Sequence, residues 1–224
     1  MRDVTALNVK VFRWIVFLLA SGFWLSEFTT AMAEGFGLQF RFLTIWGLTV
    51  YVVIAWLMLR NSHNRSDESY NTFVSAGVVL AAIVVFMFWK LWFTDPSLVS
   101  ANGPNVWYQT YYLHALGPAL VALDAFFILG AFAYLGRTFV AILMMLIPYI
   151  VWLEVLVGPL NSFPVGTATS GLPYPFLNNM AQTERLGFYG TVIVTAVVFT
   201  LMGWVISKVV SRVGRRLSVA RHGL

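Results

Sequence analysis

Cysteine is absent from the 224 residues, and charge is scarce. Without a thiol there is no disulfide, no thiolate nucleophile and no Cys-ligated metal, and the redox compartment cannot be read. Charged residues make up 10% of the chain, against about 25% in an average soluble domain. Hydrophobic residues make up 59%, and the mean hydropathy is +0.79. That excludes a water-soluble fold of this length. The net charge of +5 and pI near 9.7 raise nucleic acid as a partner, but the basic residues sit at the ends of apolar runs rather than on one patch. Their placement fits membrane topology, and no nucleic-acid partner is expected.

What is present is a series of apolar runs, each about as long as the roughly 20 residues that cross a bilayer as a helix. They predict spans near 12–32, 41–59, 73–93, 110–134, 139–158 and 186–208. The expected fold is all-α: a polytopic bundle of six transmembrane helices forming a single domain over 1–224, with no internal repeat. Ala31-Met32-Ala33 after the first run resembles a signal-peptide cleavage site. The run continues through Thr30, so an uncleaved helix is expected; cleavage would leave five spans. Arg2, Lys10, Arg13, Arg60, Arg65, Arg137, Lys208, Arg212, Arg215, Arg216 and Arg221 fall on one side if there are six spans. The positive-inside rule then puts both termini in the cytoplasm. The opposite side carries the longer loops, 94–109 and 158–184. Trp92, Trp107, Tyr108, Tyr111 and Tyr112 are expected there as an aromatic belt, and 171–177 as a loop folded over the bundle mouth.

Ionisable groups inside spans are costly and mark candidate sites. They are Glu27, Lys90, His114, Asp124 and Glu154, with Arg41 at a span entrance. All but Asp124 fall in the outer leaflet; Asp124 lies ten residues past His114, about 15 Å deeper along a helix. A polar cavity open to the outer side accounts for such a layer. Lys90 reads as a residue snorkelling to the headgroups. Glu27 and Glu154 are expected to pair with Lys90 or Arg41. His63 and His222 lie in cytoplasmic segments, so one span histidine argues against haem held by two imidazoles. Alone, His114 reads as a hydrogen-bonding partner between helices. Pro118, four residues on, frees a carbonyl of that turn. Thr44 follows Arg41 by one turn and is expected on the same face.

Four segments in order resemble the androgen-induced gene 1 family. This family includes the androgen-dependent regulator of tissue factor pathway inhibitor and bacterial six-pass relatives, and likeness to the latter implies a multi-pass protein of the bacterial cytoplasmic (inner) membrane. The segments are Arg41-Phe-Leu-Thr44, Phe88-Trp89 followed by Asp95, His114 with Pro118 and Asp124, and Tyr174-Pro175-Phe176-Leu177. Gly47 stands where some animal members have an acid, the proline is four rather than five residues past the histidine, and Glu154 lies where some members have histidine. The resemblance implies a six-helix intramembrane hydrolase of fatty acid esters of hydroxy fatty acids, with Thr44 as nucleophile and His114 as base. Arg41, Lys90, Glu27, Asp124 and Glu154 are supporting candidates. No metal or cofactor is expected; the partners are a lipid ester and membrane lipids. Two other classes stay open: a proton- or ion-coupled transporter using Glu27, Lys90, Asp124 and Glu154, and a non-catalytic membrane scaffold.

Overall fold

A computed structural model describes residues 3–29, 35–64, 70–99 and 106–222, with the side chains from 217 onward left aside. The chain is an integral, multi-pass helical membrane protein. Six helices are long and apolar enough to cross a bilayer: α1 (Leu7–Thr29), α2 (Leu43–Ser62), α3 (Asn71–Thr94), α4 (Trp107–Leu129), α5 (Leu135–Leu160) and α6 (Gln182–His222). Ala31-Met32-Ala33 and Arg65 lie outside the described residues.

Helix α3 sits at the centre. Buried residues make up 61% of its most apolar stretch, against 22% for α1 and 28% for both α5 and α6, and it touches α2, α4, α5 and α6. Its sequence explains this position. Val74, Ser75, Ala76, Gly77, Val78, Val79 and Ala81 are small and buried in succession, and small faces let helices approach in lipid, where packing replaces the hydrophobic effect. Gly77 rests against Ile54 and Val50 of α2 with no room for a Cβ.

Helix α4 ends earlier than expected, because Gly130 takes a left-handed conformation (φ 72°) that stops it at Leu129. Residues 130–134 are therefore a connection rather than helix, and side chains of α3 and α6 satisfy its backbone. Asn71 donates to the Gly130 carbonyl at 3.0 Å and accepts from the Ala133 N–H at 3.0 Å. Ser75 accepts from the Phe132 N–H at 2.7 Å, and Ser207 donates to the Ala131 carbonyl at 2.6 Å.

Helices α4 and α5 share a feature that positions the site. Each widens into π-helical turns, at Tyr112–Leu116 and Asp124–Leu129 in α4 and at Trp152–Val157 in α5. Two of these turns end at a Gly-Pro pair, Gly117-Pro118 and Gly158-Pro159. The glycine N–H reaches back five residues, to Tyr112 and to Leu153, and the proline after it has no N–H to continue the ladder.

Two segments cap the end of the bundle that carries these two glycine-proline pairs. A 3₁₀ turn, Leu38–Arg41, leads into α2. The connection 161–181 is organised by Asn178, which is fully buried. Its amide donates to the Pro164 and Leu172 carbonyls, both at 2.8 Å, and accepts from the Leu172 N–H at 3.2 Å. Gly171 (φ +92°) lies so close to the Asn161 and Gly158 carbonyls that a Cβ would collide with both. Asn161 ties the two caps together, donating to the Phe36 carbonyl at 3.1 Å and accepting from its N–H at 2.8 Å.

Candidate active site

Beneath the caps lies a cavity of about 380 Å³, within the range of small-molecule sites. Its walls are mostly apolar: Ile83, Val84, Met87, Phe88 and Leu91 from α3, Leu146, Ile150 and Leu153 from α5, and Pro173 to Leu177 from the cap. Thr44 and His114 both line it, and their side chains meet, with Thr44 Oγ1 3.5 Å from His114 Nε2.

The imidazole is fixed on every side. It is 6% exposed, sits in the π-helical turn of α4, and stacks on Phe88 with ring centres 3.5 Å apart and planes 9° apart. Its Nδ1 lies 3.0 Å from the Thr110 carbonyl oxygen. A carbonyl can only accept, so Nδ1 carries a proton, and in the neutral ring Nε2 then holds the lone pair that faces the Thr44 hydroxyl. The His114 carbonyl, deprived of its helical partner by Pro118, accepts from the Trp89 indole N–H at 2.8 Å. The expected freed carbonyl is thus present, and Phe88-Trp89 grips the histidine from ring and backbone.

Thr44 is the second residue of α2, at the positive end of the helix dipole. Four aromatic side chains hold the chain that leads to it. The indoles of Trp46 and Trp152 donate to the Phe40 carbonyl at 2.9 and 3.1 Å. The Tyr149 hydroxyl donates to the Arg41 carbonyl at 2.9 Å. The Tyr174 hydroxyl accepts from the Leu43 N–H at 3.1 Å.

The other expected residues divide. Arg41 and Glu27 line the cavity, and among the described residues no ion pair joins them; the Gln39 amide donates to the Glu27 main-chain carbonyl at 2.9 Å. Arg41 belongs to the 3₁₀ turn before α2, so it shares the cavity wall with Thr44 but not a helix face. Its Nε donates to the Leu38 carbonyl at 3.2 Å, and among the described residues no carboxylate lies within ion-pair distance. Lys90 is exposed and outside the cavity wall.

Glu154 pairs with neither Lys90 nor Arg41. It binds Arg185 at 2.9 Å and accepts from the Tyr189 hydroxyl at 2.6 Å, because the widened turn of α5 aims it at α6. Asp124 is far from this group. It is joined to Arg13, which the sequence analysis counted with the basic residues of the cytoplasmic side rather than with the ionisable groups inside spans, and which is 1% exposed inside α1. Arg13 donates to Asp124 through Nε at 2.7 Å and Nη2 at 2.8 Å, and to the Met58 carbonyl and Ser62 hydroxyl, each at 2.9 Å. Tyr112 also leaves the expected aromatic belt: it is 3% exposed and stacks on Phe23 at 3.7 Å, whereas Trp107, Tyr108 and Tyr111 are exposed. The sequence reading missed Tyr149, Gln39 and Thr110 at the site. Thr110 contributes only a backbone carbonyl, which no side chain announces.

Fold and site together define a class: a polytopic helical membrane protein with a hydroxyl–imidazole pair in the wall of a mostly apolar cavity. The chain belongs to the FAR-17a/AIG1-like protein family, whose model matches residues 10–208. No curated protein and no solved structure matches it.

Proposed function

We propose that this protein is an intramembrane lipid-ester hydrolase acting through Thr44 and His114, on fatty acid esters of hydroxy fatty acids or similar lipids. The observation that carries the reading is the facing pair, Thr44 Oγ1 and Nε2 of His114, 3.5 Å apart in the wall of a mostly apolar cavity. The distance is at the long limit of a hydrogen bond, and such contacts tighten when substrate arrives.

A threonine hydroxyl becomes nucleophilic when a base removes its proton. In this reading, Nε2 of His114 takes the Thr44 proton as Oγ1 attacks the ester carbonyl. The tetrahedral intermediate collapses, the C–O bond to the alcohol breaks, and the imidazolium protonates the leaving alkoxide. Water, deprotonated by the same nitrogen, then attacks the acyl-threonine, releasing the acid and restoring both side chains. Arg41 gives the cavity a guanidinium free of acidic partners among the described residues, suited to a lipid carboxylate. The basic segments at the other end support termini that face the cytoplasm.

A proton or ion path through Asp124 has less support, because both carboxylate oxygens are engaged by Arg13. The test is hydrolysis by the purified protein in detergent. Thr44→Ala and His114→Ala are each expected to fall to background, at least about 1,000-fold below wild type, and a fluorophosphonate is expected to label Thr44. Retained turnover in either variant overturns the reading.

A further inference from the structure

The four aromatic contacts on residues 40–43 are not equivalent. Trp46, Trp152 and Tyr149 each donate their only proton to a carbonyl, and each of those protons is used up in holding the chain. Tyr174 does the opposite. It accepts from the Leu43 N–H, so its own O–H proton is still to be placed. The neighbouring phenol is Tyr149, hydrogen-bonded to Tyr174; its own proton goes to Arg41, so the Tyr174 proton rests toward the Tyr149 oxygen and is the one proton of the four that is not tied to the backbone and can turn to a ligand. Tyr174 lines the cavity, and its hydroxyl is held at the peptide N–H of the residue just before Thr44. An O–H that accepts from an N–H is polarised and donates more strongly.

We infer that the Tyr174 hydroxyl is the side-chain donor of the oxyanion hole, catalytic alongside Thr44 and His114. The proposal rests on the hydrolase reading. As Thr44 Oγ1 bonds to the ester carbon, the carbonyl π pair moves onto oxygen and the threonine proton passes to His114. The new oxyanion forms at the N-terminal turn of α2. The phenol donates to it there, with the helix dipole adding its positive end. The donor comes from the cap, so the catalytic set is complete only with 161–181 seated over the bundle.

The experiment uses the full-length protein in detergent micelles, with p-nitrophenyl octanoate as substrate and two inhibitors of equal chain length. A trifluoromethyl ketone adds to Thr44 as a tetrahedral oxyanion; the methyl ketone stays trigonal. Tyr174→Phe is expected to lower kcat about 100-fold, to leave KM within about threefold, and to weaken the trifluoromethyl ketone about as much as it lowers kcat. Affinity for the methyl ketone should not move, which a merely structural role would not reproduce. Substituting 3-fluorotyrosine at 174 keeps the shape, makes the phenol more acidic, and is expected to change kcat without changing methyl ketone affinity. Unchanged kcat in both variants, or equal losses for both ketones, overturns the assignment. Thr44→Ala separates the two layers of argument. If it is inactive while Tyr174→Phe turns over normally, the oxyanion assignment fails and the hydrolase stands. If Thr44→Ala is as active as wild type, both fail.

Discussion

The two ends of the bundle solve the problem of polar groups in lipid in opposite ways. At the end bearing the termini the buried polar side chains of Arg13, Asp124, Asn71, Ser75 and Ser207 are all paired. Arg13 is divided among Asp124, Met58 and Ser62, and Asn71, Ser75 and Ser207 satisfy the buried connection after α4. At the capped end Trp46, Trp152 and Tyr149 spend their protons on the backbone of residues 40 and 41. Beside them is a cavity whose lining includes His114, Arg41 and Tyr174. One end pairs its polar side chains with each other and with the backbone; the other sets several of them in the wall of a cavity.

The largest effect expected on stability is therefore at the end without the cavity. Asp124→Ala strands the Arg13 guanidinium in an apolar interior, which costs about 3–5 kcal/mol in reversible unfolding from mixed micelles. Arg13→Leu combined with Asp124→Leu removes both charges, and the cost should shrink to below half that of the single change. An equal loss in the double variant would show that packing, not the stranded charge, sets the penalty.

A smaller loss is expected where α6 crosses the α4–α5 connection. Phe132 sits at φ 65°, is 1% exposed, and stacks on Phe126 at 5.4 Å. Gly203 is the notch that receives its ring, and a Cβ there would collide with it. Gly203→Ala gains up to about 1 kcal/mol of helix propensity but forces a ring with no free side to move. We expect a net loss of about 1–2 kcal/mol in the same unfolding assay, and no change in kcat.

Six membrane helices were legible because apolar length is a local property: Asn71–Thr94 differs from the expected span by two residues at the start and one at the end. The meeting of Thr44 and His114 was legible only through the resemblance, since nothing local says that two helix ends 70 residues apart will touch. The ion pairs were not legible. Arg13 and Asp124 are 111 residues apart, and an arginine near the start of an apolar run looks the same whether it faces headgroups or a partner. The π-helical turns of α4 and α5 were missed for another reason. A Gly-Pro pair inside an apolar run marks where a helix must widen, but the direction in which it then aims Glu154 depends on the neighbouring helix.

The smallest effect on stability is expected from the residue with the largest expected effect on chemistry. Thr44 is half-buried, sits in the first turn of α2, and gives its hydroxyl one contact, at the long limit of a hydrogen bond. The local structure is held instead by Trp46, Trp152, Tyr149 and Tyr174, which bind the backbone around it. Thr44→Ala should therefore shift unfolding by less than about 0.5 kcal/mol while abolishing hydrolysis. A loss as large as that of Asp124→Ala would mean that the hydroxyl is a structural tie, and that the two ends of the bundle do not differ in the way described.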